Sequence, residues 1–129
     1  MQNSFMLQFL TVGVGGFIGA GLRFALGTAV HRALPAAIFP YGTMAVNVLG
    51  CLLIGFIAAW RQPLEPGLRL FLMVGVLGGF TTFSAFALET LTLAQQQEHG
   101  LAFVNVAIKI VVTLAAVWAG FELGRLAAN

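Results

Sequence analysis

Four long apolar stretches, separated only by short runs rich in proline, glutamine and charge, occupy nearly all of this 129-residue chain. A hydrocarbon core about 30 Å thick takes roughly 20 apolar residues per helix, which leaves room for four spans and no separate soluble domain. Only 8% of the residues are charged and 60% are hydrophobic, a balance foreign to a water-soluble domain of this size. The reading is an all-α membrane protein, a single four-helix unit over residues 1–129, with spans at about 5–30, 41–60, 67–94 and 101–123. The first stretch lacks a basic start and a small-residue cleavage pattern, so it reads as a retained helix.

The scarce polar residues narrow the function. Cys51 stands alone among apolar neighbours, which excludes a disulfide or thiolate cluster within one chain and reads as a small buried hydrophobe. A net charge of +2 from so few groups makes no basic face, so nucleic acid is not an expected partner. His31 and His99 are expected in loops, solvated and far from any second ligand. Four spans place Arg61, Arg69 and Arg125 on one side and Arg23 and Arg32 on the other, too small a bias to fix orientation. A chain that inserts both ways can pair head-to-foot with its inverted twin, so an antiparallel dual-topology homodimer is expected.

Counting 1.5 Å per residue, Asn47 and Lys109 lie roughly 10–12 Å from the same end of the bundle, and Phe83 reaches a similar depth from the other end. Thr43, Asn47 and Gly50 or Cys51 share one face of the second span, and Asn105, Lys109 and Thr113 one face of the fourth. Gly15, Gly19 and Arg23, with Gly16 and Ala20, give the first span a small-residue stripe suited to close helix packing. Asn47 taken alone is either interhelical glue or a functional group. Lys109 needs a snorkelling path, water, a counter-charge or a partner contact, because a lysine at depth costs at least about 2.5–3.5 kcal/mol. Arg23 and Glu89, near one interface, read as either interfacial anchors or functional charges.

The third stretch contains "GGFTTFSAF", residues 78–86, an unsuitable run for a plain lipid-facing helix. A broken helix at membrane depth survives only where its freed backbone groups are buried in protein or face water or an ion. A break here would free the carbonyls of Gly78 and Thr81 for a cation, and neutral carbonyls suit sodium better than magnesium. Phe83 and Phe86 fall on one helical face. They either pack the interior or turn their partially positive ring edges toward a small anion.

"GGFTTFSAF", preceded by "VGVLGG" and followed by "ALET", resembles the Fluc family of fluoride channels, also called CrcB proteins. "YGTMAVNVLG" is similar to the family's second-helix motif and "GGFIGAGLRF" to its first, so the resemblance covers essentially the whole chain. It implies a dual-topology homodimer with two fluoride pores in the bacterial inner membrane, exporting fluoride passively from the cytoplasm and so limiting its toxicity. By motif position it implies a structural sodium ion held by the carbonyls of Gly78 and Thr81 from both chains. The pore residues it implies are Phe83, Phe86 and Asn47, with Arg23 in the vestibule; Thr43, Thr82 and Ser84 are candidates for a hydroxyl-lined path. Ala85 and Asn105 depart from the family's usual residues, and the position of Lys109 varies among relatives.

Two other classes fit the residues less well. A proton-coupled small multidrug exporter needs an early membrane carboxylate, and no Asp or Glu precedes Glu65. A non-conducting assembly protein explains the glycine stripes but not Asn47, Lys109 or the run at Gly78. An enzyme is not expected, since no nucleophile–base pair or metal triad gathers at one depth.

Overall fold

The computed structural model describes residues 2–60 and 64–127 and is helical nearly throughout. Arg61, counted above among the charges of one side, lies outside the described residues. The elements are α1 (Gln2–Ala33), α2 (Tyr41–Ala59), α3 (Pro66–Leu70), a π-helical segment (Phe71–Val76), α4 (Leu77–Phe80), α5 (Phe83–Gln95) and α6 (His99–Ala127). Four segments are long and apolar enough to cross a membrane: Ser4–Ala33, Tyr41–Ala59, Pro66–Gln95 and His99–Ala127.

The outer helices run past the expected spans at both ends. α1 continues to Ala33 because Pro35 is the first residue on that side that a helix cannot accommodate. His31 and His99 are therefore helical, in the last turn of α1 and at the start of α6, rather than in loops; both are exposed as expected. Glu65 caps α3, its carboxylate accepting the Leu68 N–H at 2.9 Å. Backbone N–H groups of Gly67 and Leu68 hold that carboxyl below its ordinary range. The turn between α5 and α6 closes through Glu98 N–H to Leu93 O at 2.9 Å and Gln97 N–H to Ala94 O at 3.1 Å, with Gln97 left-handed at φ 65°.

Packing follows the small-residue stripes. α1 lies against the π segment and α4, and α2 lies against α6. At Gly15 an added Cβ would sit 2.8 Å from the Phe71 carbonyl oxygen and 2.9 Å from the Gly75 Cα, so these backbones meet with no room for a side chain. The wider π turn, closed by Leu77 N–H to Leu72 O, contains that Gly75. Gly55 of α2 and Gly120 of α6 are likewise pressed against the Val117 and Leu52 carbonyls of the opposite helix. Val46, Leu77, Phe80, Phe86, Leu93 and Ala116 fill the interior, while Phe17, Phe24 and Trp118 point outward as a lipid-facing surface requires.

The third membrane-length segment changes neighbours along its course. Its first part packs on α1, and α5 packs on α6. Between them Thr81 (φ −82°, ψ 158°) and Thr82 (φ −151°, ψ 124°) are extended. The two threonines account for the change locally. The Thr81 hydroxyl donates back to Leu77 O at 3.0 Å, and Thr82 caps α5 by accepting the Ala85 N–H at 3.3 Å.

Candidate functional site

The extended Thr81–Thr82 pair leaves backbone groups that a continuous helix would satisfy. The Thr82 N–H would bond the Gly78 carbonyl; instead it donates to Asn47 Oδ1 at 2.8 Å, and Asn47 Nδ2 donates to Thr82 O at 2.9 Å. Asn47 thus serves the backbone with both ends of its amide, and its second N–H remains for another acceptor. Arg23 is half-buried and sends Nη1 to Thr81 O at 3.4 Å, which brings its charge to this point of the third segment. Gly50, on the same α2 face as Asn47, is pressed against the Thr81 methyl.

Two cavities flank the extended residues and share Thr82. A cavity of about 590 Å³ is lined by Arg23, Thr43, Thr82 and Ser84, with the Thr82 and Ser84 hydroxyls 3.3 Å apart. A second, of about 240 Å³, is lined by Asn47, Thr81, Phe83, Phe86 and Lys109. The structure therefore gathers Arg23, Thr43, Asn47, Thr81, Thr82, Phe83, Ser84 and Phe86 around these two spaces. Gly78 lines neither of them and is exposed. Cys51 is half-buried against the second cavity rather than fully enclosed.

Phe83 and Phe86 do not play the same part. Phe83 is 78% exposed, whereas Phe86 is buried at 9%. Their rings sit edge to face, centroids 5.3 Å apart at 70°. One ring packs the interior and the other projects from the helix bundle.

Sequence reasoning missed a charged network beside these rings. Lys109 is buried, and its Nζ lies 2.8 Å from Glu89 Oε2 and 5.2 Å from the Phe86 ring centroid. The other Glu89 oxygen accepts the Thr43 hydroxyl. Glu89 is thus the counter-charge of Lys109 rather than a surface anchor, and Lys109 does not snorkel. The available signal was a pair of opposite charges counted to the same half of adjacent spans. Asn105, fully buried, donates Nδ2 to Thr90 Oγ1 at 2.9 Å and braces α6 on α5. Its Oδ1 has no partner among the described residues.

Four membrane-length helices, with two cavities beside the interrupted third segment, define a multi-pass membrane protein. The family model described as CrcB-like protein, Camphor Resistance (CrcB), matches residues 10–121. A relative in Elusimicrobium minutum is 44% identical over 121 residues, covering 92% of this chain and 94% of its own. One in Novosphingobium aromaticivorans is 49% identical over 117 residues, covering 88% and 93%. One in Methylobacillus flagellatus is 42% identical over 124 residues, covering 94% and 97%. All three carry the name fluoride-specific ion channel FluC. The chain belongs to the CrcB family.

Proposed function

We propose that this protein is a fluoride-selective channel that lets fluoride leave the cytoplasm down its gradient. The observation that carries the reading is the Thr81–Thr82 interruption, hydrogen-bonded by Asn47 and flanked by the Phe83 and Phe86 rings, in a chain of the CrcB family. A selective pore must replace the water of a strongly hydrated ion with donors of its own. The spare Asn47 N–H, the proton that the Thr82–Ser84 hydroxyl pair leaves free, and the ring edges of Phe83 and Phe86 supply them, with Arg23 drawing anions toward the larger cavity and the Thr43 hydroxyl committed to Glu89. No step needs a nucleophile or a proton carrier, so the protein is not an enzyme. Glu89 is neutralised by Lys109, which disfavours a proton-coupled exporter that needs a free membrane carboxylate.

The finer reading is an antiparallel, dual-topology homodimer in the bacterial inner membrane. The exposed Phe83 and the exposed Gly78, which has room for an added Cβ, give a second copy a surface to complete. A sodium ion between the copies fits the donors present: the Gly78 carbonyl has lost its helical N–H, and Thr81 O faces a single long bond from Arg23. Such an ion would supply positive charge that fixes the two interruptions against each other.

The test is fluoride release from liposomes holding purified protein, read with a fluoride electrode beside a chloride-loaded set. Rapid fluoride loss without chloride loss, abolished by Phe83→Ile, is expected. An assembled protein that releases no fluoride overturns the reading. Replacing external and internal sodium with a large organic cation should lower release if the ion is structural, and cross-linking should trap dimers with opposed termini.

A further inference from the structure

Resting on the fluoride reading, we propose that Lys109 is the anion-binding charge of the cavity beside Phe83 and Phe86, with Glu89 the positioning residue that holds it there. A lysine in a membrane span ordinarily extends toward the nearest surface. Lys109 does not: its side chain is 4% exposed and its ammonium is fixed between Glu89 Oε2 at 2.8 Å and the Phe86 ring at 5.2 Å. Glu89 is itself fixed, because its second oxygen accepts the Thr43 hydroxyl from α2.

The pair is oriented. Lys109 lines the 240 Å³ cavity together with Asn47, Phe83 and Phe86, whereas Glu89 lines a different cavity, with His31 and Tyr41, toward the α1–α2 turn. The positive end therefore faces the rings and the negative end faces away. An ammonium carries three N–H donors, and Glu89 takes the one that finds an acceptor among the described residues. Thr113, which also lines this cavity, directs its hydroxyl proton to the Lys109 backbone carbonyl at 2.6 Å.

An unpaired ammonium at this depth would hold a small anion too tightly to release it, and a lone carboxylate would repel it. The oriented pair attracts an anion with a reduced field, which suits an ion that must both enter and leave. In this chain Lys109 therefore sets how strongly fluoride is held beside the rings.

The test titrates potassium fluoride into the detergent-purified protein by calorimetry, with potassium chloride as control, and measures the half-saturating fluoride concentration for release from liposomes. Lys109→Met should raise both values by about tenfold or more, and Lys109→Arg should stay within about threefold of the parent protein. Because Lys109→Met leaves the half-buried Glu89 carboxylate without its counter-charge and can impair assembly, the double variant Lys109→Met with Glu89→Gln removes both charges and keeps the packing. It should assemble and still bind fluoride weakly. A double variant that binds and releases fluoride as the parent does overturns the proposal while leaving the channel intact. Parent protein that binds fluoride in a Lys109-dependent way but releases none keeps the proposal and overturns the channel reading; parent protein that neither binds nor releases it overturns both.

Discussion

Asn47 and Thr82, thirty-five residues apart, close a two-bond ring in which the side-chain amide replaces the helix partners that Thr82 gave up, at 2.9 and 2.8 Å. The amide is the one common side chain of this length that can donate and accept at once. Asn47→Asp keeps an acceptor for the Thr82 N–H but sets a carboxylate oxygen against the Thr82 carbonyl. The expected loss is about 1–3 kcal/mol in stability, with fluoride release abolished. Denaturant unfolding in detergent and the liposome assay check the two effects separately.

The two phenylalanines should respond differently. Phe86 is buried and touches both Phe83 and the Lys109 ammonium, so Phe86→Ala opens a void and removes the ring beneath a buried charge. A destabilisation of roughly 2–4 kcal/mol is expected. Phe83 projects from the helix bundle, and Phe83→Ala should leave the stability of the chain within about 1 kcal/mol while lowering release. Equal stability losses at the two positions would contradict this division.

Much of this was legible in the chain because the patterns are local. Span number follows from apolar length, and the Gly15 and Gly19 stripe from four-residue spacing, which the packing against Phe71, Gly75 and Val76 bears out. Thr81 and Thr82 could be singled out because hydroxyls beside glycines are poor lipid-facing residues. The Lys109–Glu89 pair was not legible, since its partners are twenty residues apart on different helices and depth counting does not say which faces meet. The π turn at Phe71–Val76 carries no compositional mark at all. Different roles for Phe83 and Phe86 also escaped a reading in which spacing placed both on one face.

Close backbone approach makes a sharp contrast between two glycines of α1. A Cβ at Gly19 would run into Val76 O and lie 2.8 Å from Phe80 N, whereas at Gly13 nothing lies within 4 Å. Gly19→Ala must push α1 off the π segment and α4, at a cost of about 1–3 kcal/mol. Gly13→Ala should be neutral or stabilising by up to about 1 kcal/mol through helix propensity. Thermal unfolding of the two variants in the same detergent distinguishes them, and equal effects would mean that α1 is not held at this contact.

The turn into α6 offers a stabilising change. Gln97 holds φ 65° so that its own N–H and that of Glu98 reach Ala94 O and Leu93 O, the arrangement in which glycine is preferred at a helix end. A side chain in this left-handed region carries a steric penalty that glycine avoids. Gln97→Gly should therefore stabilise the protein by about 0.5–1 kcal/mol without altering fluoride release, because the turn lies outside both cavities. A raised unfolding midpoint with unchanged release is the expected result; a lowered midpoint would show that Gln97 contributes a contact worth more than the backbone strain.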